Sequence, residues 1–271
     1  VAVQAAEFVK TPRQYLLLPA KGAMVIDGKL DEWDMANAPI MINPADTNNP
    51  LLKHFVDPSN PIKGAADISG RVAVAWDATY FYVAGQVTDD HLCGAKPDSL
   101  GNEGPAPWGC DSVMINMNSY RTPMIRNNPF STDVTLGLRY APMGPKPRGS
   151  LLPDVHVLNA TDMFWKITRN SKWAVTETPD GYRVEAAIPW SDLGYTPRTG
   201  ERLFIAFMLP DVDPSQPLKQ IGWGMGGSSM KDYPVFRLSE RADVLGLISV
   251  SADEVATDAS WTLRAEVDAL A

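Results

Sequence analysis

The chain has 271 residues, 45% hydrophobic and 21% charged, with a formal net charge of -8. This is enough apolar material for one large core, and an all-β chain of this length can form a single domain. The acidic balance and the lack of any basic run exclude a polyanion such as nucleic acid as partner. No apolar run approaches the ~20 residues that a membrane-spanning helix needs.

The chain opens on Val1, and the start VAVQAAEF reads either as a mature end left by signal cleavage or as a chosen boundary. A secreted or periplasmic location is the expectation. Residues 1–25 are read as an N-terminal extension. The first strong pattern is a period of two: Val72, Val74 and Trp76 alternate with Arg71, Ala73, Ala75 and Asp77. After a turn at Asp77-Ala78 the run Tyr80 to Val87 follows, which predicts a hairpin. It ends in Asp89-Asp90-His91. A third strand carries Val113, Ile115 and Met117 on one face and Met114, Asn116 and Asn118 on the other, giving a half-wet strand whose polar face borders a candidate site.

Residues 120–158 are rich in proline and glycine and exceed an ordinary hairpin connection, so they read as long loop insertions around one strand at Asp133 to Tyr140. Trp173 to Thr178 and Tyr182 to Ile188 flank the turn Pro179-Asp180-Gly181 and predict a second hairpin. Pro189 closes it, and Trp190 to Leu193 makes a single turn. Leu203 to Leu209 is almost continuously apolar, as expected of a strand buried on both faces. Val235 to Leu238 is the last strand of the sandwich, and residues 241–271 are an appendage to the same domain, either a docked helix or a strand pair.

Five pieces in this order, IDGKLDEW (Ile26 to Trp33), VAVAWDATYFYVAGQVTDD (Val72 to Asp90), PWGCDSVMINMN (Pro107 to Asn118), YRVEAAIPWSDLG (Tyr182 to Gly194) and RLFIAFMLPDVD (Arg202 to Asp213), resemble the family 9 carbohydrate-binding module and its DOMON-like kin. The resemblance implies an antiparallel β-sandwich of jelly-roll or immunoglobulin-like type over residues 26–240. It also implies a polysaccharide or oligosaccharide partner, gripped between two tryptophans. Trp108 matches the first of these. Met230 stands at the second position, with Trp223 as a candidate replacement wall. Met114 stands where the family has an acidic sugar contact, Arg139 matches a family arginine, and Asp111 supports the edge of the ring.

Asp89, Asp90 and Asp111 are expected to converge at one end of the sandwich, where carboxylates suit calcium, an ion that family members carry in neighbouring loops. Solvated turn acids are the alternative. Cys93 and Cys110 either form a disulfide that pins the intervening loop, worth about 3 kcal/mol by chain entropy, or are two buried thiols. The histidines are His54, His91 and His156, and no G-x-S-x-G, H-E-x-x-H or phosphate-loop motif is present, so the chain leans away from being an enzyme. Two other functions stand beside sugar binding. One is a haem b electron-transfer protein, since haem-binding relatives ligate iron through Met and offer Met114, Met117 and Met230 as counterparts. The other is a cell-surface module whose 120–158 loops meet another protein.

Overall fold

The computed structural model describes residues 14–38, 40–93, 110–118, 133–139, 150–154, 170–224, 233–240, 245–252 and 263–269. Among these are the strands β1 (Gln14–Leu17), β2 (Ile40–Ile42), β3 (Leu52–Val56), β4 (Ile68–Trp76), β5 (Tyr80–Asp89), β6 (Ser112–Asn118), β7 (Asp133–Arg139) and β8 (Ser150–Asp154). They continue with β9 (Lys172–Thr178), β10 (Gly181–Pro189), β11 (Arg202–Asp211), β12 (Lys219–Trp223), β13 (Val235–Leu238), β14 (Leu245–Ala252) and β15 (Leu263–Ala269). A 3-10 turn, Met35–Asn37, lies before β2, and Asn170, just before β9, is helical.

The strands make two facing sheets and a separate β14-β15 ribbon. The first sheet runs β1-β13-β11-β6-β7-β8, with β12 on β11 and β3 on β12; the second runs β2-β4-β5-β10-β9. The expected β-sandwich is therefore present, and the ribbon takes the strand-pair form of the two expected for the C-terminal stretch. Pairing is antiparallel except for β1 on β13. Residues 14–17 thus join the first sheet instead of preceding the sandwich.

Alternation explains how the sheets meet. Val72, Val74, Trp76, Phe81, Val83, Val184, Ala186 and Ile188 point inward from the second sheet and meet Val113, Ile115, Ile205, Phe207, Leu209 and Phe236 from the first. At ~25 cal/mol per Å² of apolar area removed from water, this layer is the main stabilising element. Gly181 opens β10 because φ is +148° and a Cβ there would lie 2.1 Å from the Val87 carbonyl oxygen. Asp77 organises the β4-β5 turn: its Oδ1 accepts from the Thr79 and Tyr80 N–H groups and its Oδ2 from the Tyr82 hydroxyl, each at 2.7 Å. Trp190, in the turn after β10, closes the same corner by donating from Nε1 to the Asp77 carbonyl at 2.8 Å.

β11 is buried along both faces, as its apolar run predicts. Its outward residues Phe204, Ala206 and Met208 form a second apolar cluster with Met114, Tyr233 and Val235. This corrects the half-wet reading of β6: Met114 is 4% and Asn116 5% exposed, so its outward face is buried too.

The motif IDGKLDEW lies over the outer face of the second sheet, and Glu185 of β10 holds it there. Glu185 Oε2 accepts from the N–H groups of Asp27 (3.0 Å) and Gly28 (2.8 Å), and Oε1 from Trp33 Nε1 (2.9 Å). Gly28 is needed for the fit, with φ +82° and space so tight that a Cβ would lie 2.5 Å from Thr176 Oγ1. Burial raises the Glu185 pKa, while its three N–H donors oppose the shift.

Candidate functional site

One end of the sandwich gathers five aspartates and a lysine. Antiparallel pairing brings the start of β4, the end of β5, the start of β6, the end of β11 and the start of β12 to the same rim. Asp67 precedes β4, Asp89 ends β5, Asp111 precedes β6, Asp211 ends β11 and Asp213 follows it. Lys219 starts β12, where it is the register partner of Asp211.

Asp89, Asp111 and Asp211 are all buried, with carboxylate oxygens within 4.8 Å of one another. Asp111 Oδ1 accepts from the Val212 N–H at 2.9 Å and its Oδ2 from the Cys93 N–H. Asp89 Oδ1 accepts from the His91 N–H at 2.9 Å. Asp89 Oδ2 and Asp211 Oδ1 are sealed from solvent with no hydrogen-bond donor. Orphaned carboxylate oxygens facing other carboxylates are costly unless protonated or shared by a cation.

The titration of the group says the same. Burial is the largest cause pushing Asp89 up to about 7 and Asp111 up to about 8, with neighbouring aspartates adding to both. Asp211 rises to about 6, again mainly by burial, although Lys219 pulls it down. The Tyr182 hydroxyl is raised well above its ordinary value by burial and then by the Asp111 and Asp89 charges.

The second group is already neutralised in part. Lys219 Nζ lies 2.6 Å from Asp67 Oδ1, 2.8 Å from Asp211 Oδ2 and 2.8 Å from Asp213 Oδ2, and the lysine is fully buried. Asp67 Oδ2 also accepts from the Lys63 N–H at 2.7 Å.

Over residues 26–225 the chain matches the sequence model described as carbohydrate family 9 binding domain-like. The chain belongs to this family. A family 9 carbohydrate-binding module from Caldicellulosiruptor kristjanssonii in complex with cellotriose has a similar structure, with TM-score 0.57 at 19% identity over 85% of this chain and 96% of that one. A family 9 module from the same organism in complex with glucose gives 0.56 at 20% identity, over 86% and 98%. No curated protein matches the chain in sequence.

In this family 9 domain the expected site residues fall in different places. Trp108 and Met230 lie outside the described residues. Arg139 ends β7 as the register partner of Ser112, the residue after Asp111. Asp111 is fully buried, with its carboxylate grouped against those of Asp89 and Asp211. Trp223 corrects the expected second wall: it is 2% exposed and packs between the sheets near Tyr15, Phe207 and Phe236. Its strand places it opposite Phe207, which points inward, so it shares that face.

Of the acids expected to converge for calcium, Asp89 and Asp111 are in the buried group, whereas Asp90 is exposed. Successive residues at a strand end point to opposite sides. Asp211 takes the place expected of Asp90, and the signal for it was present: like Asp89, it is an acid that ends an apolar strand. Met117 is in the inter-sheet core and Met114 in the outer apolar cluster. Cys110 is buried, Cys93 half-buried, and no disulfide joins them. Their chain segments are adjacent, since the Asp111 N–H donates to the Cys93 carbonyl at 3.5 Å. No helix among the described residues is long and apolar enough to cross a membrane.

Proposed function

We propose that this family 9 domain is an exported, non-catalytic binder of a polysaccharide or oligosaccharide, that it stacks a sugar ring on Trp108, and that calcium braces the rim beside that contact. Membership of the family across residues 26–225 carries the saccharide reading, supported by a fold shared with modules solved with cellotriose and glucose. An indole offers a flat apolar face to the C–H side of a pyranose, and an arginine at Arg139 would meet hydroxyls at the ring edge with its fork of donors. Met114, buried among apolar neighbours, leaves fewer charged partners for those hydroxyls than the family pattern has.

Asp89, Asp111 and Asp211 fit calcium. The ion takes oxygen ligands at 2.3–2.6 Å, so two ligands of one ion lie at most about 5 Å apart, and these carboxylates meet that limit. Bound calcium would supply the positive charge that the orphaned oxygens lack. It would fix Asp111, three residues after Trp108 in the chain, and so hold the start of β6. Export would also let Cys93 and Cys110 join in an oxidising compartment.

Calorimetry with cello-oligosaccharides tests the stacking. Trp108→Ala is expected to abolish binding while the melting temperature stays nearly unchanged. An unaltered affinity would reject Trp108 as the contact.

A further inference from the structure

We infer that the Lys219 ammonium is the resident second cation of a two-cation acidic site, so that this rim takes one divalent ion, at Asp89, Asp111 and Asp211, and has no room for another. The inference rests on the cation reading given above and adds the stoichiometry of the site and the residue that sets it.

Among the described residues, two carboxylate groups at the rim meet the geometry of an ion site: Asp89, Asp111 and Asp211, and Asp67, Asp211 and Asp213. They share Asp211. In the second group the centre is filled by Lys219 Nζ, with oxygens at 2.6, 2.8 and 2.8 Å. Of its three donors, Asp67 Oδ1 and Asp213 Oδ2 each accept one, and Asp211 Oδ2 faces the same charge as an ion pair at 2.8 Å. Calcium would sit 2.3–2.6 Å from the same kind of oxygens, so the lysine head stands where an ion would stand, with nearly the same ligand spacing. Lys219 is fully buried, and its tether from β12 holds the charge in place without dissociation.

Among the described residues the first group has no such tether. Asp89 Oδ2 and Asp211 Oδ1 lack a donor, and their residues are 5% and 0% exposed. One acidic rim therefore divides into a position satisfied by the chain itself and a position that calls for an ion from solution. Asp67 enters from the second sheet and Asp211, Asp213 and Lys219 from the first, so the built-in cation also ties the two sheets together.

Counting calcium ions per chain tests this, by native mass spectrometry and calorimetry on the full chain after chelation and return to millimolar calcium. Lys219→Ala, which vacates the centre, is expected to bind one ion more than the unaltered chain, and adding Asp67→Asn should remove that extra ion. Lys219→Met keeps the length without the charge and should gain none. In the unaltered background Asp67→Asn should leave the count as it was, whereas Asp89→Asn should lower it by one. A folded Lys219→Ala chain with no extra ion overturns the inference, as does loss of an ion on Asp67→Asn alone. If Lys219→Ala does not fold, the Asp67→Asn and Asp89→Asn counts decide. An unaltered count in Asp89→Asn would sink the calcium reading itself, and this inference with it.

Discussion

Glu185 shows how much one side chain can carry. Three N–H donors from residues 27, 28 and 33 converge on it, two at Oε2 and one at Oε1. A glutamine would place an NH2 group against at least one of them. Leaving one buried donor without an acceptor costs about 1–3 kcal/mol, so Glu185→Gln should lower the midpoint of denaturant unfolding by that amount of stability, with Glu185→Ala lower still. A midpoint within error of the original would mean that the motif is held down by packing alone. None of this was legible beforehand. In the alternation of β10 a glutamate on the outward face reads as solvated, and only the fold shows that residues 26–33 lie over it. Trp223 misleads in the opposite sense: its place before the last strand looks like a ligand wall, yet pairing with Phe207 turns it into the core.

At the scale of elements, β1 is short but covers a strand edge. It pairs along the whole of β13, from Gln14 with Val235 to Leu17 with Leu238. Unpaired edges of apolar strands invite self-association. Removing residues 1–19 should therefore shift the protein to larger species in size-exclusion chromatography than the unaltered chain gives; a truncated chain of unchanged elution and stability would show that β1 is dispensable. Elements with strong periodicity were legible: β4, β5, β10 and β11 lie where alternation or a continuous apolar run puts them. β2, β3 and β12 were not anticipated. They are three or five residues long, too short for a period to stand out; β2 and β12 form on the edges of the longer β4 and β11, and β3 on β12.

For the molecule as a whole, the acidic rim sets how stability answers to pH and metal. The folded pKa values of Asp89, Asp111 and Asp211 are raised, to about 7, 8 and 6, mainly by burial. The metal-free folded state thus holds protons that the unfolded chain releases at lower pH. Its stability is complete below the ordinary carboxylate pKa and declines as pH rises through about 6 to 8. Calcium binds the ionised carboxylates and should reverse that decline. At about a hundredfold excess over its dissociation constant the ion is worth ~2.7 kcal/mol, or about 5–10 °C in melting temperature for a chain of this size. Thermal scans at about pH 5 and pH 8, with chelator and with calcium, check both signs: the calcium-dependent gain should be the larger at the higher pH. A gain that is equal at both would place the ion elsewhere. The rim was half legible, because acids ending strands can be read from the chain, whereas the depth of their burial and the seat of Lys219 depend on how the two sheets close.

The pairing of β1 with β13 also bears on when this protein can be finished. β1 waits for a partner at residues 235–238, so during synthesis residues 14 to 238 must all emerge before that seam can close. Such distant pairing slows folding. Closure of this seam is therefore a late step, with β1 left open until β13 is available.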